Sequence, residues 1–212
     1  MSERRKLENR KSPVLCINAH PDDESFGFGG IMSKFIQIKR PAYIASLTAG
    51  DAGQSAIPLV KSLSEIRRDE VFSATSTLGF SPDQIYVGSL PDGRLNEYPD
   101  EVINLTRSLF DKFKPGLILT MHPQSTSHPD HIAVAQAVLE LKQKGELSNS
   151  SVLLQYLPGK YIPTPDEIIT VLPIQKFLKK KIEAIKQHQT QKLDADRIIP
   201  KLLHSEHFVY IR

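Results

Sequence analysis

The sequence predicts an α/β protein: a Rossmann-like open, mostly parallel sheet with helices on both faces. Three observations lead there. Short apolar or β-branched runs recur along the chain as VLCINA, AYIASLT, QIYVG and GLILT. Segments of helix length separate them. Gly, Pro and acidic turn residues stand where these strands give out, which is the layout of successive strand–helix–strand units.

The elements follow in order. VLCINA (14–19) is the first strand and leads into a helix near 24–39. AYIASLT (42–48) is the second and ends in the Gly-containing loop TAGDAGQS. A helix near 62–78, with Ile66, Phe72 and Leu78 among its apolar positions, closes at Gly79. QIYVG (84–88) runs into SLPDG, a turn signature. A helix near 99–113 precedes GLILT (116–120), the loop MHPQSTSHPD and a helix from about 130 to 144. SVLLQYL (151–157) and EIITVL (167–172) come next, then the helix FLKKKIEAIKQH and a final strand HFVYI. Pro158, Pro163 and Pro165 interrupt 145–172, which reads as a partly irregular, substrate-facing section.

A chain of 212 residues suits one domain, here 13–212 behind a polar tail at 1–12. Net charge is +3 with both signs interspersed, which argues for neither nucleic acid nor an anionic membrane as partner. VLCINA is too short for a signal or spanning segment, so a cytoplasmic home is expected. Cys16, the single cysteine, excludes an internal disulfide and reads as a small buried hydrophobe. The lysines of KFLKKKIEAIK read as a solvated helix face.

In open α/β sheets, ligands bind beyond the carboxyl ends of the strands, where strand order reverses. HPDDE, TAGDAG, SLPDG and MHPQSTSHPDH leave strands one to four. If strand one lies beside strand four, the two histidine-rich loops meet. The acids of HPDDE then either cap the next helix or hold a cation. Two separated HPD tripeptides, each followed by an ionisable residue, favour the cation.

Two imidazoles and one carboxylate form a typical set for catalytic zinc, which keeps its fourth position open. His20, Asp23 and His131 are the expected ligands. Asp22, not needed by the metal, is free to take a proton. His128 could donate a hydrogen bond to a developing oxyanion, with Asp130 fixing its tautomer. The glycines of GFGG (27–30) fall inside the helix pattern and read as close helix–sheet packing rather than a nucleotide fingerprint.

With these residues in place, the sequence resembles the PIG-L/LmbE family of zinc-dependent N-deacetylases. The resemblance rests on AHPDDE (19–24), TAGDAG (48–53), EIRRDE (65–70), LPDG (90–93), SHPDH (127–131) and KIEAIKQHQTQ (181–191). It implies the same roles: His20, Asp23 and His131 on the metal, Asp22 as general base, and His128 oriented by Asp130. It further implies that Arg67 meets substrate hydroxyls, unless it pairs at the surface with Glu70 or Asp69. Asp92 reaches substrate or builds its turn. His188 supports the site from behind or packs between subunits, with threonine in HQTQ where the family usually has serine. Asp51 stands where the family often has glutamate. A homo-oligomer is also implied.

The expected function is metal-dependent hydrolysis, with Zn2+ or alternatively Fe2+, that removes acetyl from an N-acetylglucosamine-type sugar or its conjugate. The rivals are hydrolysis of another amide or a phosphoester, and a non-catalytic sugar-binding protein.

Overall fold

The computed structural model describes residues 12–147 and 150–211; positions 1–11 of the expected tail lie outside the described residues. One seven-stranded sheet runs in the order β3-β2-β1-β4-β5-β7-β6. Its strands are β1 (Val14–Asn18), β2 (Ala42–Thr48), β3 (Ile85–Leu90), β4 (Leu117–Met121), β5 (Ser151–Tyr156), β6 (Ile168–Pro173) and β7 (Ser205–Ile211). β1 to β5 run parallel to one another, and β7 runs antiparallel to both β5 and β6. The mostly parallel sheet expected from the sequence is therefore present, and β1 lies beside β4.

The helices are α1 (Asp23–Gln37), α2 (Leu63–Leu78), α3 (Pro99–Phe113), α4 (Pro129–Gln143), α5 (Leu178–Ile185) and α6 (Lys192–Ile198). Because β1 is covered on both faces, all five of its residues are apolar or buried. Leu15 and Ile17 pack in one core with Leu109 and Phe113 of α3 and Val138 and Leu141 of α4. Val14 and Cys16 point the other way, toward Phe28 and Met32 of α1, Leu78 of α2 and Ala184 of α5. Cys16 is fully buried, as a small hydrophobe there should be. Among the described residues, no helix is long and apolar enough to cross a membrane.

Local chemistry sets the helix ends. Ser62 and Glu65 form a reciprocal capping box at the start of α2, and Gly79 stops it at φ 105°. The close-packing glycines also find their reason. A Cβ on Gly30 would lie 2.6 Å from Ile174, and one on Gly27 would lie 3.0 Å from Gln155 Oε1 of β5.

The carboxyl-terminal third departs from expectation. The helix expected through His188 stops at Ile185, because the chain turns inward to seat His188 in the core. Helix α6 was not legible, since Ala195 is its single buried residue and gives no apolar stripe. Lys181 is an exception to the solvated lysine face. It is buried, and its Nζ donates to Glu206 Oε1 at 2.7 Å. Glu206 also accepts from the backbone of Gly30 and Ile31, fastening β7 to α1.

Candidate active site

The adjacency of β1 and β4 brings the two histidine loops together. His20, two residues past β1, places Nδ1 3.1 Å from His131 Nε2 and 3.6 Å from Asp23 Oδ2. His131 Nε2 lies 3.0 Å from Asp23 Oδ1. Three donors therefore face one point. A tetrahedral zinc with ligands at about 2.0–2.2 Å would set its donors roughly 3.3–3.6 Å apart. His20, Asp23 and His131 suit such an ion in chemistry, and their spacings of 3.0, 3.1 and 3.6 Å reach from just below that range to its upper end. Among the described residues, His20 with His128 and His131, and His20 with Asp92 and Asp130, also bring possible ligand atoms within 4.8 Å of one another. Two imidazoles with a carboxylate suit iron(II) as well.

Each imidazole has its second nitrogen occupied. His20 Nε2 lies 3.2 Å from both Asp92 Oδ1 and Asp130 Oδ2. His131 Nδ1 lies 3.2 Å from Thr126 Oγ1. Partners of this kind fix the tautomer and direct the other nitrogen's lone pair at a metal. Burial alone would lower His20, yet its bonds to Asp130 and Asp92 and the charges of Asp23 and Asp22 raise it to about 10. The same acidic field answers to a divalent cation, so ion binding at this point competes with protons.

One expected role changes here and another gains a contact. Asp130 is expected behind His128, and Asp92 on substrate or building its turn, but both carboxylates meet His20. Asp92 also accepts from Thr48 Oγ1 at 3.3 Å and from the Ala52 amide at 2.8 Å. Asp130 is fully buried and accepts from the amides of Gly93 at 2.7 Å and Leu95 at 2.9 Å. Its place in the first turn of α4 aims it at the turn after β3, whose amides need an acceptor. Among the described residues, no hydrogen bond joins its carboxylate to His128. The His128 ring instead caps α4, with Nδ1 accepting the Asp130 amide at 3.3 Å. Its proton therefore sits on Nε2. Burial, reinforced by His20 and His131, lowers its pKa, so the ring is a neutral donor rather than a cation.

Asp22 stands beside the donor set without joining it. Its Oδ2 accepts from Arg67 Nη2 at 2.9 Å. Burial, against the pull of Arg67 and with the push of Asp23, raises its carboxyl to about 6, within the useful range for a general base. Arg67 itself is buried and pairs with neither Glu70 nor Asp69. Its guanidinium donates to Gly50 O at 3.0 Å and to Pro21 O at 2.5 Å. The glycines of TAGDAG seat it: a Cβ on Gly50, already at φ 71°, would sit 2.5 Å from Nη1. Arg67 borders the cavity, but these bonds make it first a support for Asp22. Asp51 is exposed and does not line the cavity.

One contributor escaped sequence reasoning, and so did the partner of another. Thr126 lies five residues before His131 in a loop of hydroxyls, and nothing in sequence singles it out. His188 is buried with its Nε2 2.9 Å from Glu24 Oε1. Of the two expectations for His188, support from behind or packing between subunits, its burial against Glu24 favours the first. Thr190 keeps the hydroxyl of the usual serine, donating from Oγ1 to Glu70 Oε2 at 2.6 Å.

The cluster lies in a cavity of about 920 Å³, lined further out by Tyr156, Leu157, His207, Arg197 and Lys201. Leu157, Pro158 and Lys160 form part of its wall. Tyr161 stacks on His122 with ring centroids 4.0 Å apart and donates to Glu167 at 2.7 Å.

The family model described as PIG-L, GlcNAc-PI de-N-acetylase, matches residues 15–142. The chain belongs to the PIG-L family. The match spans β1 to α4 and so contains every residue of the donor cluster. Among curated PIG-L-like relatives, a probable N-acetyl-α-D-glucosaminyl L-malate deacetylase 2 of Bacillus subtilis (strain 168) is 28% identical over 187 residues, covering 85% of this chain and 84% of its own. A 1D-myo-inositol 2-acetamido-2-deoxy-α-D-glucopyranoside deacetylase of Rhodococcus jostii (strain RHA1) is 24% identical, covering 100% of this chain and 93% of its own. Among solved structures, the N,N'-diacetylchitobiose deacetylase of Pyrococcus horikoshii shares the fold at TM-score 0.77 and 22% identity, over 100% of this chain and 87% of that one.

Proposed function

We propose that this PIG-L protein hydrolyses the acetamide of an N-acetylglucosamine unit attached to a second group, with a divalent cation held by His20, Asp23 and His131. The observation that carries the proposal is the convergence of these three donors beside a carboxylate, Asp22, that belongs to no donor set. When bound, zinc or iron(II) supplies Lewis acidity to the amide carbonyl and to water.

The chain's own residues account for the rest. Asp22 takes a proton from the attacking water and later returns it to the departing nitrogen. A carbon–oxygen bond forms, the carbon–nitrogen bond breaks, and acetate and a free amine result. His128 Nε2–H is the donor for the oxyanion between those events. Asp92, Asp130 and Thr126 hold the two ligand imidazoles, and Arg67 holds the base.

The substrate class rests on the relatives. Two of them are named for N-acetylglucosamine units joined to different groups, L-malate in one and inositol in the other. The sugar is what they share. A cavity of about 920 Å³ is at the upper end of the roughly 300–1,000 Å³ range of small-molecule sites and has room for an attached group.

The test is incubation of the metal-loaded protein with a panel of N-acetylglucosamine conjugates, measuring freed acetate and amine. Phosphate esters and unmodified sugar binding are assayed in parallel. Release of amine from at least one conjugate is expected. Phosphate release alone, or binding without turnover, refutes the reading. Chelation should also lower the melting temperature, by roughly 5–10 °C for a cation present at a hundred times its Kd. An unchanged melting curve would speak against a resident ion.

A further inference from the structure

We propose that Glu24, backed by His188, is a positioning residue that holds the base Asp22 in a backbone conformation it would not adopt alone. The inference rests on the functional reading above and extends it to two side chains outside the cavity lining.

Three non-glycine residues among those described have positive φ: Asp22, Lys39 and Lys114. The lysines, at 58° and 45°, follow the ends of α1 and α3, where left-handed residues commonly stop helices. Asp22 differs in kind. It precedes the start of α1 with φ 137° and ψ −32°, in territory that suits glycine. Such a conformation persists only where its surroundings enforce it.

The enforcing contacts can be named. The Asp22 amide donates to Glu24 Oε2 at 2.9 Å. The other Glu24 oxygen, Oε1, accepts from Ser25 Oγ at 2.6 Å and meets His188 Nε2 at 2.9 Å. Glu24 is fully buried and His188 nearly so. On the opposite side, Arg67 grips Pro21 O and Asp22 Oδ2. The peptide before Asp22 is thus held from both flanks, by α2 through Arg67 and by the chain after α5 through Glu24.

The conformation has a chemical use. Asp22 and Asp23 are adjacent, yet their carboxylates diverge. Asp23 lies against His131, while Asp22 reaches Arg67. The turn at Asp22 separates the two acids and keeps the base off the ion. Glu24 touches neither ion nor substrate, so it acts through Asp22.

The test is Glu24→Gln in the full-length, metal-loaded protein. A glutamine has one acceptor oxygen where the carboxylate has two, so if that oxygen keeps the Asp22 amide its NH2 faces His188 Nε2 and Ser25 Oγ, and the charged acceptor for both is lost. Metal content should be unchanged and KM nearly so, while kcat falls about 10–100-fold. In the Asp22→Asn background the same change should cost almost nothing further, because the base it positions is gone. A purely structural Glu24 would give equal proportional losses in both backgrounds, and that overturns the proposal. If Glu24→Gln does not fold, His188→Gln carries the same comparison. A crystal structure gives a readout independent of turnover: φ at Asp22 should leave its positive value in the variant. An unchanged φ with full kcat overturns the positioning role. If the wild-type protein hydrolyses no acetamide, the functional reading fails while the crystallographic arm still decides the clamp.

Discussion

His20-Pro21-Asp22 and His128-Pro129-Asp130 are the same three residues at the ends of adjacent parallel strands, but they are used in opposite ways. In the first, helix α1 begins after the tripeptide. The histidine is buried among the donors, and the aspartate stays outside the helix at positive φ with its carboxylate on Arg67. In the second, α4 begins inside the tripeptide, at Pro129. The histidine becomes the helix cap, the aspartate folds into the first turn and is buried on backbone amides, and the donor is the next residue, His131. A shift in where the helix starts therefore exchanges the roles of identical side chains. The first copy leaves an acid beside the cluster on Arg67 and the second leaves an imidazole whose Nδ1 caps a helix; under the proposed function these are the base and the oxyanion donor.

The sharpest way to break this comparison is to exchange His131→Ala for His128→Ala. His131→Ala should lose stoichiometric metal and all turnover. His128→Ala should keep the metal and lose about 10²–10³ in kcat. Elemental analysis beside kinetics separates them, and metal loss in both would make His128 a ligand.

The aspartates come next. Asp22→Asn should retain metal and lose about 10²–10⁴ in kcat. Asp130→Asn acts through His20 and should cost about 10–100-fold, seen partly as weaker metal binding in a chelator competition. If Asp130→Asn left metal affinity intact and matched His128→Ala in kinetics, Asp130 would belong behind His128 after all. Smaller still is a stability inversion. At position 22, Gly should be more stable than Ala by about 1 kcal/mol or more, because φ is positive there. At position 130, inside a regular first turn, Ala should exceed Gly by about 0.5–1 kcal/mol. Denaturant melts of the four variants decide it.

The meeting of the two histidine loops was legible because it depends on residue type, spacing and one topological condition, β1 beside β4, which the helical crossovers made reasonable. The parallel part of the sheet was legible for a related reason: its inner strands, β1, β2, β4 and β5, are buried almost throughout and read as largely apolar runs. Two things stayed hidden. The orienting bonds of Asp92 and Asp130 cross from one loop to another, and sequence reading naturally paired Asp130 with its neighbour His128. The break after Ile185 depends on His188 finding Glu24, a contact 164 positions away. Local propensity carries no trace of such a contact.

The antiparallel β7 has a practical consequence. Val14 pairs with Leu117, Leu117 with Ser151, and Val152 with Ile211. The first residue of β1 and the last of β7 therefore stand level, at the floor of the sheet, while the cavity opens at its roof. A probe attached beside Val14 or Ile211 should therefore stand at the edge of the sheet opposite the cavity mouth.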